Sequence, residues 1–507
     1  MKPLKSATIA APGFFGLNTQ ESGITLNSGF ALEATNCIID KFGRIGSRKG
    51  WTKLNGTAFT GTPRAIAEYT TTSGLLEILY AANNSLFRLE NDGTSTELTD
   101  ADGTDISITD NDWQIITYNN KAVFVQQDHT MVYYDGTGDT YSEFSSAPGS
   151  TTPSCGASCF NRVWVADEHT VYWSKILEPQ SFSGTGTGFL DIREIFGEDD
   201  TVTAITSYNN RLVIFGRRNI AFFSGAEDPT STNFQMTDHI KGIGCIARDS
   251  VQNAGTDVIF LSADGVRTIG RTIQEVSSPI GDVSKNVRDE VVQFASGEAE
   301  FRIKSIFSQE NAFYLLTLPA TGYTYCFDMR ASLQDGSRRA TKWTLTPTAY
   351  CVRKNEDVLL GQEGYIAKYD GSSDNTSTYR LQYYTNYFDF GNATLESILK
   401  KIRLSVIGST QQECALKWAF DYDTDYRAVT FVLSEGITSE YNVDEYFSDD
   451  DTDNEAEFST GTILDNISLN IGGRGAVVQL GIEANITDGA LSIQKLDIFA
   501  KDGKMIS

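Results

Sequence analysis

The residues best suited to metal chemistry are Cys155 and Cys159, spaced C-x3-C, and the acidic run from Asp444 to Glu457. Zinc needs four ligands, and neither a second cysteine pair nor a His-x3-5-His follows the two thiols, so they read as side chains of a buried strand. In the acidic run Asp449, Asp451 and Asp453 take positions one, three and five of a calcium loop. Asn454 stands where the turn glycine belongs, and Thr460 stands where a bidentate Glu belongs. A solvated loop is therefore the better reading, kept extended by carboxylate repulsion unless a cation or partner neutralises it. His129, His169 and His239 sit in unrelated contexts and read as turn or surface residues. Gly472-Gly473-Arg474-Gly475 lacks the lysine of a phosphate-binding loop and lies between strand-like runs, which predicts a hairpin turn. Nucleophile-elbow, zincin and kinase signatures are absent from the sequence, and no carboxylate pair is marked by its context. No catalytic, cofactor-binding or metal residue is assigned, and the chain is expected not to be an enzyme.

The elements that would carry any such residues are strands. Short runs rich in Val, Ile, Phe, Tyr and Thr alternate with Asn, Asp and Gly, residues that tolerate the positive φ of tight hairpins. Turns at Asn83-Asn84, Asn119-Asn120, Asn161-Arg162, Asn209-Asn210, Asp264-Gly265, Asn311 and Asn355-Glu356-Asp357 precede apolar runs, with a spacing of about 45 residues. That period matches four-stranded propeller blades. Tyr134-Asp135-Gly136 and Tyr369-Asp370-Gly371 mark further turns, and the rhythm stops after the second. One helix is predicted over Asp282 to Phe294, with Gly297 as its stop. The fold class is all-β: a β-propeller of six or seven blades over 61–375, and a β-sandwich platform domain over 376–507. Residues 1–60 are expected to join the platform. A row of unrelated hairpins in sandwiches is the other architecture open at this point.

The chain of 507 residues carries 41 Lys+Arg against 66 Asp+Glu, a formal charge of −25. Gripping nucleic acid requires clustered cations to displace counterions, so tight DNA binding is disfavoured. Arg217-Arg218, Arg338-Arg339 and Lys400-Lys401 read as isolated basic pairs. Seven scattered cysteines do not form a secreted disulfide pattern. Neither an apolar run of membrane-spanning length nor a signal-peptide core occurs, so a soluble protein made in a cytoplasm is expected.

The block from Thr201 to Gly216, continuing through Phe222-Phe223-Ser224-Gly225, Lys241-Gly242-Ile243-Gly244-Cys245 and Val258 to Val266, resembles the tail nozzle proteins of short-tailed bacteriophages, also called tail tubular protein B or packaged-DNA stabilisation protein. Three further places are similar: the Gly-Arg-rich turn Arg44 to Trp51, Asn161 to Trp164 with Tyr172-Trp173-Ser174, and Ser278-Pro279-Ile280 before a helix. The resemblance implies a homohexameric tube in the virion tail, below the portal and its adaptor ring. Such a tube conducts double-stranded DNA during ejection without binding it tightly, and docks tail fibres or tailspikes, with no membrane insertion. It brings no catalytic residues and no cofactor. The alternative of a different class is a carbohydrate-binding or glycoside-hydrolysing propeller, which implies a monomer with an aromatic pocket.

Overall fold

Asparagine pairs shape the hairpins. Asn83 and Asn84 have φ of 50° and 61°, Asn119 and Asn120 of 46° and 57°, and Asn209 and Asn210 repeat 46° and 57°. Two consecutive positive φ angles make the turn whose twist matches paired strands, and Asn reaches that region at low cost. The third blade turns on Phe160 and Asn161, at 53° and 57°, not on Asn161-Arg162. Arg162 already pairs with Cys159, because its guanidinium is needed inside the blade.

The computed structural model describes residues 4–101, 112–144, 152–255, 257–274, 282–390, 395–409, 412–433, 462–487 and 489–505. Two compact units emerge: Thr52–Arg338 with Leu345–Tyr369, and Met1–Trp51 with Arg339–Thr344 and Asp370–Ser507.

The unit beginning at Thr52 is a seven-bladed β-propeller. Its inner strands are Ala65–Thr70, Trp113–Tyr118, Cys155–Cys159, Val202–Tyr208, Gln252–Asn253, Lys304–Ser308 and Tyr350–Val352. Each starts a meander of antiparallel neighbours, and each of the seven expected turns falls in a different blade. Five of those turns leave the inner strand. Asn83-Asn84 and Asp264-Gly265 instead join the second and third strands of their blades, so the sequence rhythm mixed two kinds of turn. The ring closes where Tyr350–Val352 lies beside Ala65–Thr70. Thr52–Lys53 from the unit's first residues pairs with Tyr365–Lys368 and completes the seventh blade.

Burial on both faces of the strands holds the ring together. In Arg211–Gly216 of the fourth blade, Leu212 and Ile214 pack with Trp164 and Trp173 of the third blade. Val213 and Phe215 pack with Val258 and Phe260 of the fifth. Val213 and Phe215 thus point into a core as alternation requires, but the intervening residues do so too, because a blade strand is flanked by blades on both sides. In the third blade Trp164 and Trp173 rings lie 5.4 Å apart. Arg162 donates to the carbonyls of Ser174 (2.6 Å) and Gly186 (2.7 Å). The expected helix is shorter than predicted: Lys285–Val287 is a 3-10 turn and the α-helix runs Arg288–Ser296. Asp282 instead accepts from Arg288 Nε at 2.8 Å.

The other unit is a β-sandwich. One sheet runs Thr462–Leu469, Leu395–Ser409, Leu491–Met505, Ile45–Ser47, Cys37–Ile39, with Lys5–Ala10 also along Leu491–Met505. The second orders Gly16–Leu17, Phe30–Thr35, Tyr379–Thr385, Val478–Ile486, Glu413–Phe420 and Arg427–Val432. Ala340 and Lys342 pair beside Gly16 and Thr35. Gly16 has φ of 81°, and a Cβ there would meet the Ala340 carbonyl oxygen at 2.3 Å, so only glycine fits this close approach. Leu404, Leu496, Ile498, Leu381, Leu480 and Ile482 fill the core.

Candidate functional site

Charged side chains gather where the inner strands of the second, third, fifth and sixth blades begin. Arg248 lies in the 3-10 turn Arg248–Ser250, immediately before the fifth inner strand. Its guanidinium donates to the carbonyls of Trp113 (2.9 Å) and Ser154 (2.7 Å) and pairs with Asp112 (2.7 Å) and Asp249 (2.9 Å). Asp249 also receives the ammonium of Lys304 from the sixth blade, and Ser305 Oγ donates to its carbonyl at 2.7 Å. One turn therefore ties together the second, third, fifth and sixth blades.

These charges are largely shielded from water, which penalises the ionised forms. Arg248 and Lys304 nevertheless hold the Asp249 carboxyl well below the usual carboxylate range, and Asp249 and Asp112 hold the Arg248 guanidinium above its ordinary value. Opposite charges at this range in a poorly solvated site outweigh desolvation. Beside them is a cleft of about 570 Å³ lined by Asp112, Thr201, Arg217, Arg248, Asp249 and Glu300, among others. Arg217 pairs with Glu300, and Glu298 accepts from the Ala320 amide at 2.6 Å. Burial pushes the Cys155 thiol up to about 12 and the Cys245 thiol up to about 11, so both stay protonated and weakly nucleophilic at neutral pH. With its cations paired and its thiols inert, the cluster acts as a clamp on the ring.

The residues singled out in the sequence are placed apart. Cys155 and Cys159 sit four positions apart on one strand, roughly 13 Å along it, too far to share an ion. Among the described residues no group of His, Cys, Asp and Glu could hold a metal ion. The acidic run Asp444 to Glu457 and Ser278-Pro279-Ile280 lie outside the described residues. His129 lies in a turn, whereas His239 is on an outer strand, its ring stacked 6.1 Å from Phe196 and 3.0 Å from Asn219 Oδ1. Gly473–Gly475 is a short strand along Leu395–Ser409, not a turn, because Gly473 admits the Phe420 ring where a Cβ would clash.

The Arg44 to Trp51 segment has a physical reason for its composition. Arg48 is fully buried in the sandwich unit, bidentate to Asp374 at 2.7 Å on both nitrogens, with Nε on Asn36 Oδ1 at 3.0 Å. Its guanidinium stacks 3.9 Å from the Tyr379 ring centroid. Sequence reading missed Arg248, Asp249 and Asp374, since their partners Asp112, Lys304 and Arg48 lie far along the chain; Arg48 and Asp374 are 326 residues apart.

No curated protein matches the sequence. Among solved structures the chain is similar to a streptogramin B lyase, at 11% identity over 63% of this chain and 97% of that chain, with a TM-score of 0.39. It is also similar to YCF48 bound to D1 peptide, at 12% identity over 64% and 98%, with a TM-score of 0.37. A virginiamycin B lyase from Staphylococcus aureus gives 11% identity over 63% and 97%, with a TM-score of 0.37. These scores are too low to carry a conclusion about this chain. The family model described as Bacteriophage P22 Gp10, beta-propeller, matches residues 39–351, which spans the first six blades and the opening of the seventh. The seven blades and the extent of that match make this chain a phage structural β-propeller protein, a member of the P22 Gp10 family.

Proposed function

We propose that the protein is the subunit of a homohexameric tail nozzle in a short-tailed phage, lying below the portal-adaptor complex, conducting DNA during ejection and carrying fibres or spikes. The observation that carries this reading is the family match over the propeller. The charge of −25 per chain supports a passive conduit. Six copies hold on the order of −150 formal charge, and a carboxylate-rich wall repels phosphates so that DNA slides without adhering. The isolated chain is expected to be mainly monomeric at low salt, because like-charged copies repel until screened, crowded or templated.

Quantitative mass spectrometry and imaging of purified virions test the placement: six copies per particle in a ring at the tail is the expected result. A protein absent from virions ends the nozzle reading. A gel-shift titration with duplex DNA near 0.15 M salt tests the conduit mechanism, and tight, salt-sensitive binding contradicts it.

A further inference from the structure

On the outward face of the first sandwich sheet, the ladder gathers cations that are scattered in the sequence. Lys401 pairs with Phe499, Arg403 with Asp497 and Ser405 with Lys495. Residues directly opposite in an antiparallel ladder share a face, and so do residues two apart on one strand. Lys401, Arg403 and Lys495 therefore stand on one surface. A register shift between Leu399 and Lys401 inserts Lys400, which is also exposed, into the same strand.

Ser6 and Thr8 on one flanking strand, and Asn466 and Ser468 on the other, surround these cations with exposed hydroxyl and amide groups. Asp497, the acidic residue in the middle, is engaged by Lys495 Nζ at 2.8 Å and Thr8 Oγ1 at 2.6 Å. Lys400 and Lys401 make no close ion pair among the described residues, whereas Arg403 stands opposite Asp497 and its charge helps to hold that carboxyl below the usual range. Arg403 is braced 5.5 Å over the Phe499 ring, an arrangement that holds a guanidinium in place without neutralising it. The opposite face, with Ile402, Leu404, Leu496 and Ile498, is core.

We propose that this cationic sheet face is a docking surface for a carboxylate-rich face of a second copy of the chain. The proposal rests on the multi-copy reading above. Charge complementarity selects the occupant: with 66 acidic residues against 41 basic ones, the chain's own surface is an abundant source of carboxylates. A closed ring of identical subunits joined head to tail needs two different complementary faces, and a cationic face on an acidic chain supplies one of them. Such a contact also offsets, locally, the repulsion between copies.

The test is sedimentation of the full chain near 0.15 M salt with a crowding agent, comparing wild type, the Lys401→Glu/Arg403→Glu variant and the charge-conserving Lys401→Arg/Arg403→Lys variant. Arg403 is exposed and Lys401 is half-buried, and circular dichroism checks that each variant folds. The charge reversal is expected to raise the concentration needed for assembly by about tenfold or more, with the charge-conserving variant within about twofold of wild type. Equal assembly of all three proteins overturns the docking surface while leaving the nozzle reading intact. Wild type that stays monomeric under every crowded condition overturns the self-docking too, and its copy number in virions then judges the nozzle reading separately. Wild-type retention of duplex DNA that only the reversal abolishes, with self-association unchanged, reassigns the face to phosphates and also refutes the proposal.

Discussion

Glu483 offers a direct test of how the sandwich unit is held together. It sits on Val478–Ile486 with only 6% of its side chain exposed, and its carboxylate accepts from Tyr384 Oη (2.6 Å), Gln382 (3.1 Å), Lys417 (2.9 Å) and Arg380. Burial alone would raise its pKa, but the hydrogen bonds from Tyr384, Arg380, Lys417 and Gln382 win and hold it down to about 2, from an ordinary 4.5. A lowering of that size corresponds to roughly 3 kcal/mol at neutral pH. Because half of the Arg380 side chain is exposed, solvent screening reduces the expected contribution to about 2 kcal/mol. A carboxyl whose folded pKa lies below its unfolded value stabilises the fold fully above the unfolded value. That stability drains away as pH falls from about 4.5 toward about 2. Glu483→Gln should therefore lose about 2 kcal/mol at pH 7 and differ progressively less from wild type on acidification. Urea unfolding between pH 2 and 7 reads this, followed by Trp418 fluorescence taken as the difference between proteins with Trp418 and their Trp418→Phe counterparts. Parallel pH profiles for wild type and variant would refute the reasoning, even if the variant were less stable.

Three other outcomes are expected. Phe215→Ala, which removes a fully buried ring 5.1 Å from Phe260, should destabilise the propeller by about 3–5 kcal/mol, and an unchanged melting temperature would count against the blade register. Asp374→Asn leaves the Arg48 charge buried without its carboxylate and should cost about 3 kcal/mol in urea unfolding, less than a sealed pair because Asp374 is a fifth exposed. Asp249→Asn removes the anion between Arg248 and Lys304, and faster amide exchange in the fifth and sixth inner strands is the expected sign, with unchanged protection arguing that the clamp does not hold the ring.

The blade rhythm was legible because the constraint is local. A two-residue turn between twisted strands demands positive φ at both positions, and Asn209-Asn210 or Asn119-Asn120 announces it without any tertiary context. The blade count became fixed only by the closure through Thr52–Lys53, a pairing of the unit's first strand with Tyr365–Lys368 that no local pattern carries. Likewise residues 339–344 cluster with the sandwich unit, since the pairing of Ala340 with Gly16 depends on a close approach between distant segments. Helix length was overestimated for a local reason: Val283 and Val287 are buried at helical spacing, but Asp282 is drawn to Arg288 and Ser284 Oγ accepts from the Val266 amide at 2.9 Å, which keeps the first turn out of the helix.

Charge shows the same division between what a sequence sums and what a fold arranges. Of the 21 acidic residues between 376 and 507, ten lie in 434–461, a stretch without Lys or Arg, so the rest of that segment is close to neutral. Within it Lys400-Lys401 looked like one isolated pair, until the antiparallel register set Lys401 and Arg403 beside the strand that carries Lys495. A net charge governs long-range repulsion between copies and the passage of a polyanion, both acting over a Debye length of about 8 Å or more. Contact between copies is decided at shorter range, where local sign matters and the sum does not. A strongly acidic chain can therefore repel DNA and still hold its neighbour, provided that several cations stand together on one rigid face, as the ladder from Leu395–Ser409 to Leu491–Met505 sets Lys401 and Arg403 beside Lys495 here.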